Sequence, residues 1–306
     1  MIRVERLTKS YGPKTVVSDL NFEVSPGVVT GFLGPNGSGK STTMRLILGL
    51  DLPDSGAATV MGKALSSFTH PLRQVGALLD PGYLHPTRSA MNHLWAQAAS
   101  NGIGRRRVEE TLAMVGLADV SHRRIGEFSL GMKQRLGIAG ALLGDPAVVI
   151  LDEPANGLDP EGVHWIRTFL STLAAEGRTV LVSSHQLSEM ALMAEDLVII
   201  GAGQLLAQTT VAEFTSTANA SVLVRTPDRK ALHDVLVQAG VSVRFAGETL
   251  EVTGWAPAEI GRLAFTSGIE IHELTPRNSS LESAFLALTA ETQEYRTSTI
   301  EGTHLA

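Results

Sequence analysis

The 306-residue chain contains no cysteine. That excludes a disulfide framework, thiol catalysis and a cysteine-ligated zinc, and it fits a cytosolic protein. Aromatic residues are scarce at 5% and charged residues reach only 18%, yet 43% of the chain is hydrophobic. This is the profile of a packed globular protein, not a disordered one. A basic excess is also missing. The net charge is −6, and the 11 acidic and 7 basic residues from Asn219 onward carry four of those six charges, which argues against a nucleic-acid surface. No apolar run reaches the ~20 residues that a membrane span requires, so any work at a bilayer is expected to pass through a partner. The opening Met1-Ile2-Arg3-Val4-Glu5-Arg6 mixes charge with apolar residues as a strand does and does not read as a signal peptide.

What is present is a regular alternation of elements. Residues 2–33 read as three strands punctuated by Tyr11-Gly12-Pro13 and Ser25-Pro26-Gly27. A helix is expected from about Lys40 to Leu50. A second, Arg105 to Gly116, has Val108, Leu112 and Val115 on one face, and a third runs from about Met132 to Leu143. The apolar runs Val148–Leu151, Thr179–Val182 and Leu197–Ile200 are separated by helical stretches at about 160–175 and 186–195. Such alternation predicts a largely parallel sheet covered on both faces. Beyond Phe214–Asn219 a second, smaller unit is expected. Its elements are a strand at Val222–Val224, a helix at Arg229–Ala239, a hairpin over Val241–Val252 turning at Ala246-Gly247, a helix at Ala256–Thr266, a strand at Glu270–Leu274 and a helix at Leu281–Leu288. The expected domains are 1–218, 219–290 and a frayed tail at 291–306.

Two motifs carry chemistry on their own. Gly34-Pro35-Asn36-Gly37-Ser38-Gly39-Lys40-Ser41-Thr42 matches the phosphate-loop pattern G-x-x-x-x-G-K-[ST], between an expected strand and an expected helix. Glycines let backbone N–H groups turn inward around phosphates, and the helix N-terminus adds partial positive charge. Lys40 is placed to reach the β- and γ-phosphates and the Ser41 hydroxyl to bind Mg²⁺. The apolar strand Val148-Val149-Ile150-Leu151 then ends in Asp152-Glu153. Asp152 is placed to hold Mg²⁺ and Glu153 to polarise an attacking water.

These motifs indicate an NTPase without saying which kind. Phe128-Ser129-Leu130-Gly131-Met132-Lys133-Gln134-Arg135 resembles the signature of ABC ATPases, with Leu130 where the family usually has glycine and Met132 where it usually has glutamine. Gly157-Leu158-Asp159 resembles the family's D-loop, Ser183-Ser184-His185 resembles its switch histidine, and Tyr11 in Thr8-Lys9-Ser10-Tyr11-Gly12 resembles the aromatic that stacks on adenine. After the run Val75–Leu79, Asp80 stands where the family usually places a glutamine that touches Mg²⁺. A carboxylate can still serve a magnesium ion, directly or through water. An acidic residue there is similar to ATPases of the bacitracin and lantibiotic exporter group, and the C-terminal region resembles the small domain of daunorubicin-resistance-type exporters.

The resemblance implies an α/β ABC-type P-loop ATPase core with a helical subdomain at about 82–145 and a small α+β C-terminal domain. It implies ATP and Mg²⁺ as ligands and a catalytic pair, Glu153 and His185. It also implies a site completed by Ser129, Leu130, Gly131 and Met132 of an opposite subunit, with Asp159 crossing the interface. The implied partners are a second copy or a related ATPase and a polytopic membrane permease, at the cytoplasmic face of the membrane. The segment Gly82–Asn101, with Tyr83, Leu84, His85, Met91, Leu94 and Trp95, is expected to grip a short helix of that permease. Non-transport ABC ATPases, chromosome ATPases and P-loop kinases are the rival classes. The first usually carry two ATPase halves in one chain. The second need a long coiled coil between Lys40 and Ser129, where only 88 positions intervene. The third give no reason for Ser129, Asp159 and His185 to fall in order. Replacing Lys40 with alanine is expected to abolish nucleotide binding. Titration with a fluorescent nucleotide checks this, and wild-type affinity would remove the phosphate-loop assignment.

Overall fold

A computed structural model of the chain describes residues 1–80, 84–217 and 221–277, together with 281, 282, 285 and 288. The expected tail at 291–306 lies outside the described residues, as do Gly82 and Tyr83. The four isolated residues are helical, within the helix expected at Leu281–Leu288.

Strand β3 (Val29–Leu33) is buried at every position, its polar Thr30 included, as expected of a strand covered on both faces. It sits inside a six-stranded sheet of order β5-β6-β7-β3-β8-β9. The flanking strands are β5 (Val75–Leu78), β6 (Val148–Leu151), β7 (Thr179–Ser183), β8 (Asp196–Gly201) and β9 (Gln204–Thr210). Neighbours from β5 to β8 pair in parallel, and only β9 runs antiparallel, against β8. Three strands form a separate antiparallel sheet of order β2-β1-β4: β1 (Ile2–Tyr11), β2 (Lys14–Val24) and β4 (Ser55–Val60).

The two sheets share a core with α1 (Lys40–Ile47). Ile2, Leu7, Leu20 and Phe22 of the small sheet meet Met44 and Ile47 of α1 and Phe32, Ile150, Leu181 and Val198 of the large one. The Phe22 and Phe32 rings lie 5.6 Å apart. Each such side chain contributes about 1.5–3 kcal/mol when fully buried. Residues of the opposite parity face the other side of the large sheet, where α5 (Pro160–Ala175) and α6 (Leu187–Met193) pack. Met190 of α6 lies so close over Gly31 that any side chain there would collide with its sulfur.

Between β5 and β6 the chain forms α2 (Ala90–Ser100), α3 (Arg105–Met114) and α4 (Leu130–Leu142), packed on one another. This corrects part of the expected partner surface. Leu84, Met91 and Leu94 are buried, because Met91, Leu94 and Ala98 fall on the inward stripe of α2. His85 and Trp95 stay exposed.

Residues Met1–Thr210 form one compact unit and Val211–Leu288 another. The second begins with the short α7 (Val211–Thr217). It continues as β10 (Ser221–Arg225), α8 (Arg229–Gln238), β11 (Ser242–Ala246), β12 (Thr249–Thr253), α9 (Pro257–Thr266) and β13 (Glu273–Arg277). The order β11-β12-β10-β13, antiparallel throughout, is the βαββαβ arrangement of ferredoxin-like folds. Its core joins Val222, Val224, Leu250 and Val252 to Leu232, Leu236 and Ile260 of the helices. The last strand starts three residues later than expected at Glu270. Ile269 N–H instead closes the end of α9 on Ala264 O, and pairing with β10 sets the register at Val224 opposite Leu274. Pro276 is tolerated in β13 because the strand lies at the sheet edge.

Candidate functional site

The sequence motifs converge because the parallel strands end together. Strand β3 runs into the 34–39 loop, β6 into Asp152-Glu153, β7 into Ser183-Ser184-His185 and β5 toward Asp80. In open α/β sheets this carboxyl edge is where ligands bind. Gly39, at φ +102°, makes the entry into α1 possible, since a Cβ there would sit 2.7 Å from Val16 O. Lys40 follows with its side chain largely buried, and its ammonium donates to Gly34 O at 2.6 Å and Pro35 O at 3.2 Å. Burial lowers its pKa, opposed by the nearby Glu153 and Asp152 carboxylates. A cleft of about 340 Å³ is lined by residues 36–42 of the loop and by Asp152 and Glu153.

The two carboxylates are held differently. Asp152 is buried and accepts from the Ser41 hydroxyl at 2.8 Å on Oδ2 and from the Ser183 hydroxyl on Oδ1. The same Ser183 oxygen accepts the Glu153 N–H at 2.9 Å. Glu153 itself sits at φ +51°, a left-handed conformation that costs a non-glycine residue on the order of 1–3 kcal/mol unless its surroundings hold it. Its carbonyl accepts from Gln134 Nε2 at 3.3 Å. Its Oε2 accepts from the His185 backbone N–H at 3.3 Å and lies 2.6 Å from His185 Nδ1. An ionised carboxylate only accepts, so this pairing places the proton on Nδ1.

The paired hydroxyl and carboxylate oxygens of Ser41 and Asp152 are hard donors suited to a magnesium ion. Among the described residues no group of three or more His, Asp or Glu side chains forms a metal cage of its own. Asp80 is exposed two residues beyond Leu78, whose carbonyl accepts the Asp152 N–H at 2.7 Å, so it lies on the same sheet edge. Tyr11 stands at the end of β1 with its ring half exposed. Its hydroxyl donates to Asp51 at 2.8 Å, which raises the phenol pKa. Asp51 is gripped by Arg45 at 2.7 and 3.1 Å, and that grip, with the Tyr11 bond, lowers its pKa to about 2. Neither Arg45 nor Asp51 was legible as a brace, because the pairing crosses from α1 to a loop and back to β1.

Ser129, Leu130, Gly131 and Met132 do not line that cleft. They line a groove of about 540 Å³ with Arg135 and Asp159. Ser129 caps α4 by accepting the Met132 N–H at 3.2 Å, and Asp159 caps α5 by accepting the Gly162 N–H at 2.8 Å. The Arg135 guanidinium lies 4.4 Å over the Trp165 ring, tying the two helices together. The exposed Leu130 lies over Gly157, where φ is +75° and a Cβ would fall 2.2 Å from the leucine Cδ2. The large residue of one motif is thus matched by the absent side chain of the other.

Comparison with known proteins gives a consistent picture. The family model described as ABC transporter matches residues 17–156, and one described as a domain of unknown function matches residues 220–282. An uncharacterised ABC transporter ATP-binding protein, YhcH of Bacillus subtilis, is 36% identical over 96% of this chain and 97% of its own. The bacitracin transport ATP-binding protein BcrA of Bacillus licheniformis is 34% identical over 94% and 97%. A solved structure of the ATP-binding subunit of an ABC transporter aligns with a TM-score of 0.64 at 29% identity, covering 71% of this chain and 92% of that one.

Removing the Ser183 hydroxyl tests the geometry. Ser183→Ala takes the partner from the part-buried Glu153 N–H and the donor from the buried Asp152 carboxylate, and is expected to cost about 1–3 kcal/mol of stability in a thermal or urea melt. An unchanged melt would mean that the hydroxyl does not bridge the two carboxylates.

Proposed function

The chain belongs to the ABC transporter ATP-binding proteins, and from that membership we propose that it is the ATP-hydrolysing subunit of an exporter, working as a dimer around two ATP molecules. The observation that carries the reading is the separation of the two clusters. One chain presents Lys40, Ser41, Asp152 and Glu153 in one cleft and Ser129 with Asp159 in another groove. Each is half of a nucleotide site, and a second copy supplies the missing half.

In this reading the backbone of Gly34–Thr42 and Lys40 bind the phosphates, and Tyr11, braced by Asp51, stacks on adenine. Ser41 and Asp152 hold Mg²⁺, with Asp80 within the same edge as a further oxygen donor. Mg²⁺ bound there neutralises charge on the phosphates. Glu153 orients and polarises the attacking water, while His185 fixes the Glu153 carboxylate and meets the γ-phosphate. Ser129, with Leu130, Gly131 and Met132 at the N-terminus of α4, faces the γ-phosphate of the partner's ATP, where the helix dipole and capping hydroxyl favour anions. ATP therefore adds contacts to both copies and favours the closed pair, and hydrolysis removes them. Among the described residues no helix is long and apolar enough to cross a membrane. In this reading transport runs through a separate permease, which holds the chain at the inner face of the membrane. The similarity to a bacitracin transport protein, and Asp80 as in ATPases of the bacitracin and lantibiotic exporter group, support export as the direction of transport.

Glu153→Gln is expected to keep nucleotide affinity, to lower turnover at least ~100-fold and to trap an ATP-dependent dimer visible by light scattering. Unchanged steady-state hydrolysis would remove Glu153 from its role. Gentle solubilisation of membranes holding the tagged chain is expected to recover a polytopic membrane protein in fixed proportion. Recovery of ribosomes, DNA or nothing, from a preparation that still hydrolyses ATP, would favour a non-transport ABC ATPase.

A further inference from the structure

Gln134 lies on α4, five residues after its capping serine, and is 1% exposed. Its Nε2 donates to the Glu153 carbonyl, and its Oε1 is buried without a hydrogen-bond partner among the described residues. Its neighbours on the helix, Leu136, Ile138 and Leu142, are apolar core residues. An amide with half its capacity unmet is a poor choice for stability, because an apolar side chain of similar shape would bury no unmet polar atom and would leave the Glu153 carbonyl bonded to the Asn156 N–H. What the amide does accomplish is to hold one end of a residue in a strained conformation. Glu153 at φ +51° is gripped at its N–H by Ser183, and its carbonyl accepts both the Asn156 N–H of the local turn at 3.1 Å and Gln134 Nε2, the one grip that comes from a helix.

Resting on the proposed function, we infer that Gln134 is a positioning residue for the Glu153 carboxylate and that it links the two half-sites of one chain. The N-terminus of α4 presents Ser129 to the partner's nucleotide, and the same rigid helix carries Gln134 to the chain's own Glu153. A shift of α4 when Ser129 engages therefore acts directly on the backbone of the catalytic carboxylate. Hydrolysis in one site is thereby conditioned on engagement of the other half-site of that chain. A misplacement of about 1 Å is enough to slow such chemistry about 100-fold.

The test is Gln134→Met, which keeps the shape and removes the donor, with Gln134→Glu as a second variant of equal length that cannot donate when ionised. Steady-state ATP hydrolysis by the full chain is measured with thermal melting and nucleotide titration. The expected result for Gln134→Met is a kcat lower by about tenfold or more, a KM for ATP within about twofold, a melting temperature unchanged or higher and a Hill coefficient for ATP shifted toward one. Gln134→Glu is expected to lower kcat to the same degree. A Gln134→Met protein with wild-type kcat would overturn the inference, as would one that melts lower and binds nucleotide more weakly in step with its lost activity, since that is a purely structural role. A Glu153→Gln control separates the two levels. If that control still turns over, the catalytic reading itself fails; if it is inactive while Gln134→Met behaves as wild type, only the present inference fails.

Discussion

The Ser183 side chain stands at the end of β7 and serves two residues of β6 at once, giving its proton to Asp152 and taking the backbone N–H of Glu153. That double use is possible only because β6 and β7 are adjacent, parallel and in register, Leu151 lying opposite Val182. Both strands are buried throughout, so the position of the hydroxyl is fixed by core packing and not by a loop. The left-handed backbone at Glu153, the direction of its carboxylate toward His185 and the reach of Asp152 toward Ser41 all follow from that placement.

Electrostatics are arranged around the same edge. Lys40 is desolvated enough for its pKa to fall, and the carboxylates of Asp152 and Glu153 restore part of what burial removes. The carbonyls of Gly34 and Pro35 hold the ammonium in one orientation. A lysine loses about 1.5–2 kcal/mol of rotamer freedom when fixed, and here that cost falls on folding and not on nucleotide capture.

Much of this was legible beforehand where local chemistry and tertiary structure agree. Val148–Leu151 and 160–175 appear with the expected limits, the first because a fully buried parallel strand is an unbroken apolar run. The second is bounded by Asp159 as cap and Pro160 in the first turn. Other parts were opaque for physical reasons. Strand β4, Ser-Gly-Ala-Ala-Thr-Val, has few strand-forming residues and exists through its pairing with β1. The start of β13 is set by a partner strand some fifty residues earlier. Leu84, Met91 and Leu94 read equally well as a surface grip or a core stripe, and packing on α3 and α4 decides for the core. Gln134 gave no signal, since a glutamine in a helix reads as solvent-facing until its contact with Glu153 is seen.

On the proposed reading the two clusters of unit Met1–Thr210, one lining the Lys40 cleft and the other the Ser129 groove, each hold half the groups a nucleotide site needs. On that reading a solitary copy is safe by construction. It can load ATP and waste none of it, because the groups that complete the site arrive only with a neighbour. Idle fuel consumption by unassembled subunits is thereby suppressed through dilution alone, with no inhibitor, lid or modification required.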